Sequence, residues 1–149
     1  GFIERIGALP RAQKNIFAKD IGGDCNTMTA HEVGRAGEKA ACRYLKEHGY
    51  DILACNYQRA GEKIIGEIDI VAQLGETVAF VEVKTRKSEA YGLPCELVTK
   101  SKQQKIIKAA YTYITENGLD ANYSFDVIEV LHNGKKITAL RHLPNAFTL

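Results

Sequence analysis

Asp69, Glu82 and Lys84 are the residues of this chain whose types and spacing could do chemistry together. They lie on two neighbouring apolar runs, about Ile64–Ala72 and Thr77–Thr85, which read as strands joined through Gln73-Leu74-Gly75-Glu76. Strand side chains alternate faces with a period of two. On the first run Glu67, Asp69 and Val71 then share one face, and Ile68, Ile70 and Ala72 the other. On the second, Val78, Phe80, Glu82 and Lys84 face one way and Ala79, Val81 and Val83 the other. Register decides whether the acids meet. A two-residue turn at Leu74-Gly75 sets Asp69 opposite Phe80, with Glu82 its diagonal neighbour roughly 7–8 Å away. A four-residue loop faces Asp69 with Glu82 directly, and an odd-length loop without a bulge parts them onto opposite faces.

Two carboxylates about 4 Å apart repel by roughly 4 kcal/mol at an effective dielectric near 20. A cation between them, or a proton on one of them, removes that cost. Carboxylate oxygens suit Mg²⁺ or Mn²⁺, which keep waters that a phosphate substrate can replace. Lys84, two residues from Glu82, could hold an attacking water or screen charge building on a phosphate. The competing reading is a solvated Glu–Lys–Asp surface cluster. Against it, the opposite faces and the residues near the turn are nearly all apolar.

The flanking elements must position these side chains. A helix is expected over about Ala30–His48, with Val33, Ala36, Gly37, Ala40, Ala41, Tyr44 and Leu45 at helical spacing. Thr29 and Glu32 form a capping-box pattern and Gly49 a stop. Strands are expected at about Asp51–Gln58, Ser124–Leu131 and Lys136–Leu140, with Asn133-Gly134 as the last turn. Arg86 to Leu97 reads as a loop, and a second helix runs over about Thr99–Asn117. This order predicts one α/β domain over residues 28–149. Residues 1–27 read as an extension, either flexible or a dimer arm, with a break at Gly22-Gly23-Asp24.

A length of 149 residues, 45% hydrophobic and 26% charged, fits an ordinary globular domain. No apolar run approaches a membrane span, and residues 1–27 carry scattered charges rather than a secretory leader. The four cysteines form no Cys-x-x-Cys pair and no zinc pattern with the histidines. Reduced thiols in the cytoplasm are expected. Net charge is only +2, but Lys84–Lys108 holds seven basic residues against two acidic ones, a local +5. That is enough for an electrostatic footprint on a polyanion.

Gly34-Arg35-Ala36-Gly37-Glu38-Lys39-Ala40-Ala41, Gly49-Tyr50-Asp51-Ile52-Leu53 and Asn56-Tyr57 resemble the opening of the YraN-like family of small bacterial proteins. Gly66-Glu67-Ile68-Asp69-Ile70-Val71-Ala72 and Phe80-Val81-Glu82-Val83-Lys84-Thr85-Arg86 continue the resemblance. Tyr91-Gly92, Lys102-Gln103, Phe125-Asp126-Val127-Ile128 and Asn145-Ala146-Phe147 complete it. That family is similar to archaeal Holliday junction resolvases, within the PD-(D/E)xK nuclease superfamily. The resemblance implies a restriction-endonuclease-like core, a central mixed β-sheet of about five strands flanked by helices. It implies that Asp69 and Glu82 bind a divalent metal, that Lys84 assists catalysis and that Glu38 completes the acidic cluster. Arg59-Ala60-Gly61-Glu62-Lys63 lengthens one hairpin beyond the family pattern.

On this reading the chain hydrolyses DNA phosphodiester bonds with Mg²⁺ or Mn²⁺ held by Asp69, Glu82, the Val83 carbonyl and Glu38, with branched DNA one expected substrate. Arg86, Lys87, Lys102 and Lys105 are candidate phosphate contacts. Gln103 is a candidate to orient water or phosphate, and Glu67 to support the metal. Asp126 reads as a buried structural acid, and His31, His48, His132 and His142 as surface residues. Cutting a two-fold junction would favour a homodimer. Two alternatives stand beside it: a non-cleaving nucleic-acid-binding module of the same fold, and a partner protein whose acids form a salt-bridge network.

Overall fold

The computed structural model describes residues 13–14, 27–58, 67–87 and 97–148. The hairpin tip at residues 59–63, Gly92, Pro94, Cys25, Cys95 and most of the 1–27 extension lie outside the described residues.

Helix α1 spans Ala30–Glu47. Thr29 Oγ1 accepts the Glu32 amide at 3.2 Å while Glu32 Oε1 accepts the Thr29 amide at 3.4 Å, the expected capping box. Helix α2 spans Lys100–Asn117, capped by Thr99 and ended by Gly118 in the left-handed region at φ 57°. The strands are β1 (Gln13–Lys14), β2 (Asp51–Gln58), β3 (Glu67–Leu74), β4 (Thr77–Lys87), β5 (Asn122–His132) and β6 (Ile137–Phe147). They form one sheet in the order β1-β6-β5-β4-β3-β2. The β4–β5 pair is parallel and the others are antiparallel. Parallel neighbours need a crossover, and α2 lies between β4 and β5 in the chain. The architecture is therefore α/β with a mixed sheet, as expected.

Among the described residues, each face of the sheet carries one helix. Ala36, Ala40, Ala41 and Leu45 of α1 pack with Ile70, Ala79, Val81, Ile128 and Val130. Ile106, Ala109, Ala110 and Tyr113 of α2 pack with Val78, Phe80, Val127 and Leu143. The second core includes an aromatic run in which Phe80 stacks on Phe125 at 5.7 Å and Phe125 on Phe147 at 5.2 Å. Among the described residues, no helix is long and apolar enough to cross a membrane.

Several boundaries differ from those expected. The β3–β4 turn is Gly75-Glu76 rather than Leu74-Gly75, and Leu74 pairs with Thr77. Gly75 at φ 59° explains the shift, because a primed two-residue turn needs positive φ at its first position. β4 continues through Arg86 and Lys87, which are strand residues rather than loop. β6 runs past Pro144 to Phe147 because Asp126 Oδ1 accepts the Asn145 amide at 3.1 Å where the β5–β6 register shifts. Two histidines are buried rather than on the surface. His142 Nε2 lies 2.7 Å from Asp126 Oδ2, and His132 Nδ1 accepts the Gly134 amide at 3.0 Å. Asp126 is the buried structural acid the sequence suggested.

Candidate active site in the sheet fork

The β3–β4 ladder runs from Leu74↔Thr77 to Ile70↔Val81 and, among the described residues, no further. Beyond that point β3 stays paired with β2 as far as Glu67, and β4 with β5 as far as Lys87. The sheet therefore forks, with Asp69 on one prong and Glu82, Val83 and Lys84 on the other. Asp69 Oδ2 accepts the Val83 amide at 2.8 Å, which satisfies the donor left by the parted ladder.

The fork also shifts the phase of β3. Ile68 and Val71 pack on the α2 side but Ile70 packs on the α1 side, so Ile68 and Ile70 do not share a face as strict alternation predicts. β2 makes the same shift, since Ala54 and Tyr57 both lie on the α2 side. The cause is Asn56, opposite Asp69 in register and at φ 52°. Asparagine tolerates the left-handed region better than most residues. A residue out of the alternation is free to aim its side chain into the fork, and Asp69 does.

Glu82 lies on the α2 side and is only 5% exposed. Burial, then the neighbouring Asp69 carboxylate, pushes its pKa up to about 8, with Lys102 and Lys84 opposing. Lys102 Nζ stands 3.8 Å from Glu82 Oε1. The other oxygen, Oε2, is buried without a hydrogen-bond partner. A buried carboxyl oxygen without a hydrogen-bond partner, beside a second carboxylate that disfavours its ionisation, suits a hard cation that would displace the proton. Mg²⁺ needs only one or two carboxylates with its remaining ligands from water and substrate. The donor set fits such an ion.

Glu38 does not join Asp69 and Glu82 in a closed cluster. Among the described residues, no three His, Cys, Asp or Glu side chains gather closely enough to hold a metal. Glu38 instead hydrogen-bonds Asn56 on β2. Burial, followed by the charges of Asp69 and Glu67, raises the Glu38 pKa, so the acids feel one another across the gap. Glu38, Asn56 and Asp69 line a cleft of about 450 Å³ between α1 and the β2–β3 edge. In the same wall, the free thiols Cys42 and Cys55 are 3.8 Å apart.

The remaining candidates scatter. Lys84 is half-buried and aligned with buried Glu129 across the β4–β5 pair. Arg86 interacts electrostatically with Glu129, which Arg141 also binds at 3.0 Å. Gln103 Nε2 donates to the Val98 carbonyl at 3.0 Å at the start of α2. Lys87 and Lys105 are exposed, and Glu67 is half-buried opposite Gln58. Sequence reasoning passed over Asn56, Glu129 and Arg141. Positive φ at an asparagine leaves no mark on composition, and a glutamate inside an apolar run was the available signal for Glu129.

A family model described as uncharacterised protein family UPF0102 matches residues 37–130. The UPF0102 protein of Geobacter metallireducens is 47% identical over 125 residues, covering 82% of this chain and 98% of its own. That of Alkaliphilus oremlandii is 45% identical over 119 residues, covering 78% and 97%. That of Caldicellulosiruptor saccharolyticus is 38% identical over 122 residues, covering 80% and 100%.

Proposed function

The chain belongs to the UPF0102 family, and from its forked sheet and paired acids we propose that it is a Mg²⁺- or Mn²⁺-dependent nuclease acting on DNA. The observation that carries the reading is buried Glu82, whose Oε2 has no partner, set beside Asp69 where β3 and β4 part. A protein keeps two such carboxylates together when something neutralises them.

Asp69 and Glu82 would hold the metal, with the Val83 carbonyl as a further oxygen donor; Glu38, engaged by Asn56, would act only through a water or after leaving that contact. When bound, the ion polarises the phosphate and lowers the pKa of a coordinated water. Lys84, on the Glu82 prong, positions the attacking water and offsets negative charge developing on the phosphate. The Asp69–Val83 hydrogen bond fixes one acid relative to the strand bearing the other, so both prongs reach the substrate in one geometry. Lys102 supplies positive charge to Glu82 before substrate binds and can turn to a phosphate. Arg86, Lys87 and Lys105 add charge for flanking phosphates, and branched DNA is the substrate shape the family resemblance favours.

One observation favours a second reading. The Lys102–Glu82 approach at 3.8 Å already gives the buried acid a counter-charge, as a non-cleaving nucleic-acid-binding module would need. Incubating labelled linear, flapped and four-way-junction DNA with the protein and Mn²⁺ or Mg²⁺ separates the two. Cutting abolished by a chelator and by Glu82→Ala supports the nuclease. Salt-sensitive binding without cutting supports the module.

A further inference from the structure

The segment first expected to meet nucleic acid is Lys84–Lys108, yet another basic face borders the cleft beside Asp69. Arg35, Lys39, Arg43 and Lys46 of α1 all line it and all are exposed. Their spacing of three and four residues puts them along one side of the helix. The opposite side, with Ala36, Ala40, Ala41 and Leu45, is buried on the sheet. Between Arg35 and Lys46 the sole acid is Glu38, which faces Asp69 across the cleft. An ordinary solvated helix face mixes its charges evenly; along that length this one carries four cations against one acid. The Arg43–Glu47 contact at 3.3 Å joins two exposed side chains and by itself contributes little. At a rise of about 1.5 Å per residue the stripe is about 16 Å long, the axial length of about five phosphates of one DNA strand.

We propose that this face of α1 is the track for a nucleic-acid backbone, leading one strand along the cleft past Asp69. The proposal rests on the nucleic-acid part of the function given above, but not on cleavage.

The test is fluorescence anisotropy of labelled duplex and four-way-junction DNA against the full chain in EDTA, across a salt series. The log–log slope of affinity against salt shrinks by about 0.9 for each phosphate the protein no longer neutralises. Lys39→Gln/Lys46→Gln is expected to reduce the slope by about 1.8 on that relation, because glutamine keeps helix propensity while removing charge. Lys135→Gln/Lys136→Gln, on the β5–β6 turn, controls for net charge and should leave the slope within about half a unit of wild type. An unchanged slope in the α1 variant, with wild-type binding intact, overturns the track and leaves the nucleic-acid reading standing. Equal reductions in the α1 and turn variants also overturn it. Absence of wild-type binding to either DNA overturns both.

Discussion

Asp69 Oδ2 holds the Val83 amide at 2.8 Å, two residues past Val81, the last β4 residue paired with β3 among the described residues. A side-chain oxygen thus replaces the ladder acceptor at the point where the sheet opens. The opening leaves an acid on each prong, Glu82 buried and Asp69 partly buried, and the same hydrogen bond ties the prongs together. Fold and candidate chemistry therefore share one interaction.

This double role separates two substitutions. Asp69→Ala removes the acceptor and leaves the Val83 amide short of a partner, a loss of about 1–3 kcal/mol. Asp69→Asn keeps a carbonyl oxygen there and should recover most of that stability. Both remove the Asp69 charge, so the difference between the two variants reports the hydrogen bonds that its side-chain oxygens accept, the Val83 amide first among them. Urea unfolding in a chelator should place alanine below asparagine, with neither cutting DNA. Equal stability would mean the hydrogen bond does not hold the fork.

Metal should stabilise the folded chain through the same acids. A ligand bound only by the native state at 100 times its dissociation constant adds about 2.7 kcal/mol. For a domain of this size that is a rise of about 5–10 °C in Tm. Mn²⁺ should produce it in the wild type, and Glu82→Gln should abolish it. A rise that survives Glu82→Gln would put the ion elsewhere.

Strict alternation was enough to place the acids on adjacent strands but not to find their geometry. Glu82 obeys the period of two, and its face was legible from Phe80 and Val78. Asp69 does not, because Asn56 and Asp69 step out of phase together, and that depends on pairing between β2 and β3 rather than on either sequence alone. Similarly, Thr29 and Glu32 announced the start of α1 because capping is local. Burial of His142 could not be read, since its partner Asp126 is on another strand. The family resemblance supplied Glu38 as a site residue, but its hydrogen bond to Asn56 is visible only in three dimensions.

The helix that carries Glu38 approaches the sheet at Gly37. A Cβ built there would collide with Thr85 Oγ1 on β4. Gly37→Ala should therefore destabilise the protein by about 1–3 kcal/mol through overpacking, despite alanine's better helix propensity. Adding Thr85→Ala removes the obstructing hydroxyl and should restore part of the loss. A double-mutant cycle by chemical denaturation would reveal a favourable coupling between the two changes. Additive losses would show that α1 is held off the sheet by something other than this approach.

Protonation of His132 should weaken the fold in mild acid. Burial, then the charge of nearby Lys87, lowers its pKa from the ordinary 6.5. Its Nδ1 accepts the Gly134 amide, which requires an unprotonated nitrogen. The folded state thus binds a proton less readily than the unfolded chain. The stability linked to His132 is present above about pH 6.5 and is lost as pH falls through the lowered folded-state value. Buried Glu129 acts in the opposite sense, because its pKa is raised by burial. Comparison with His132→Asn, which keeps an acceptor but does not titrate, separates the two. The wild type should lose more unfolding free energy than the variant between about pH 7.5 and 5, measured by urea titration at matched ionic strength. Parallel losses would show that His132 has the same proton affinity folded and unfolded.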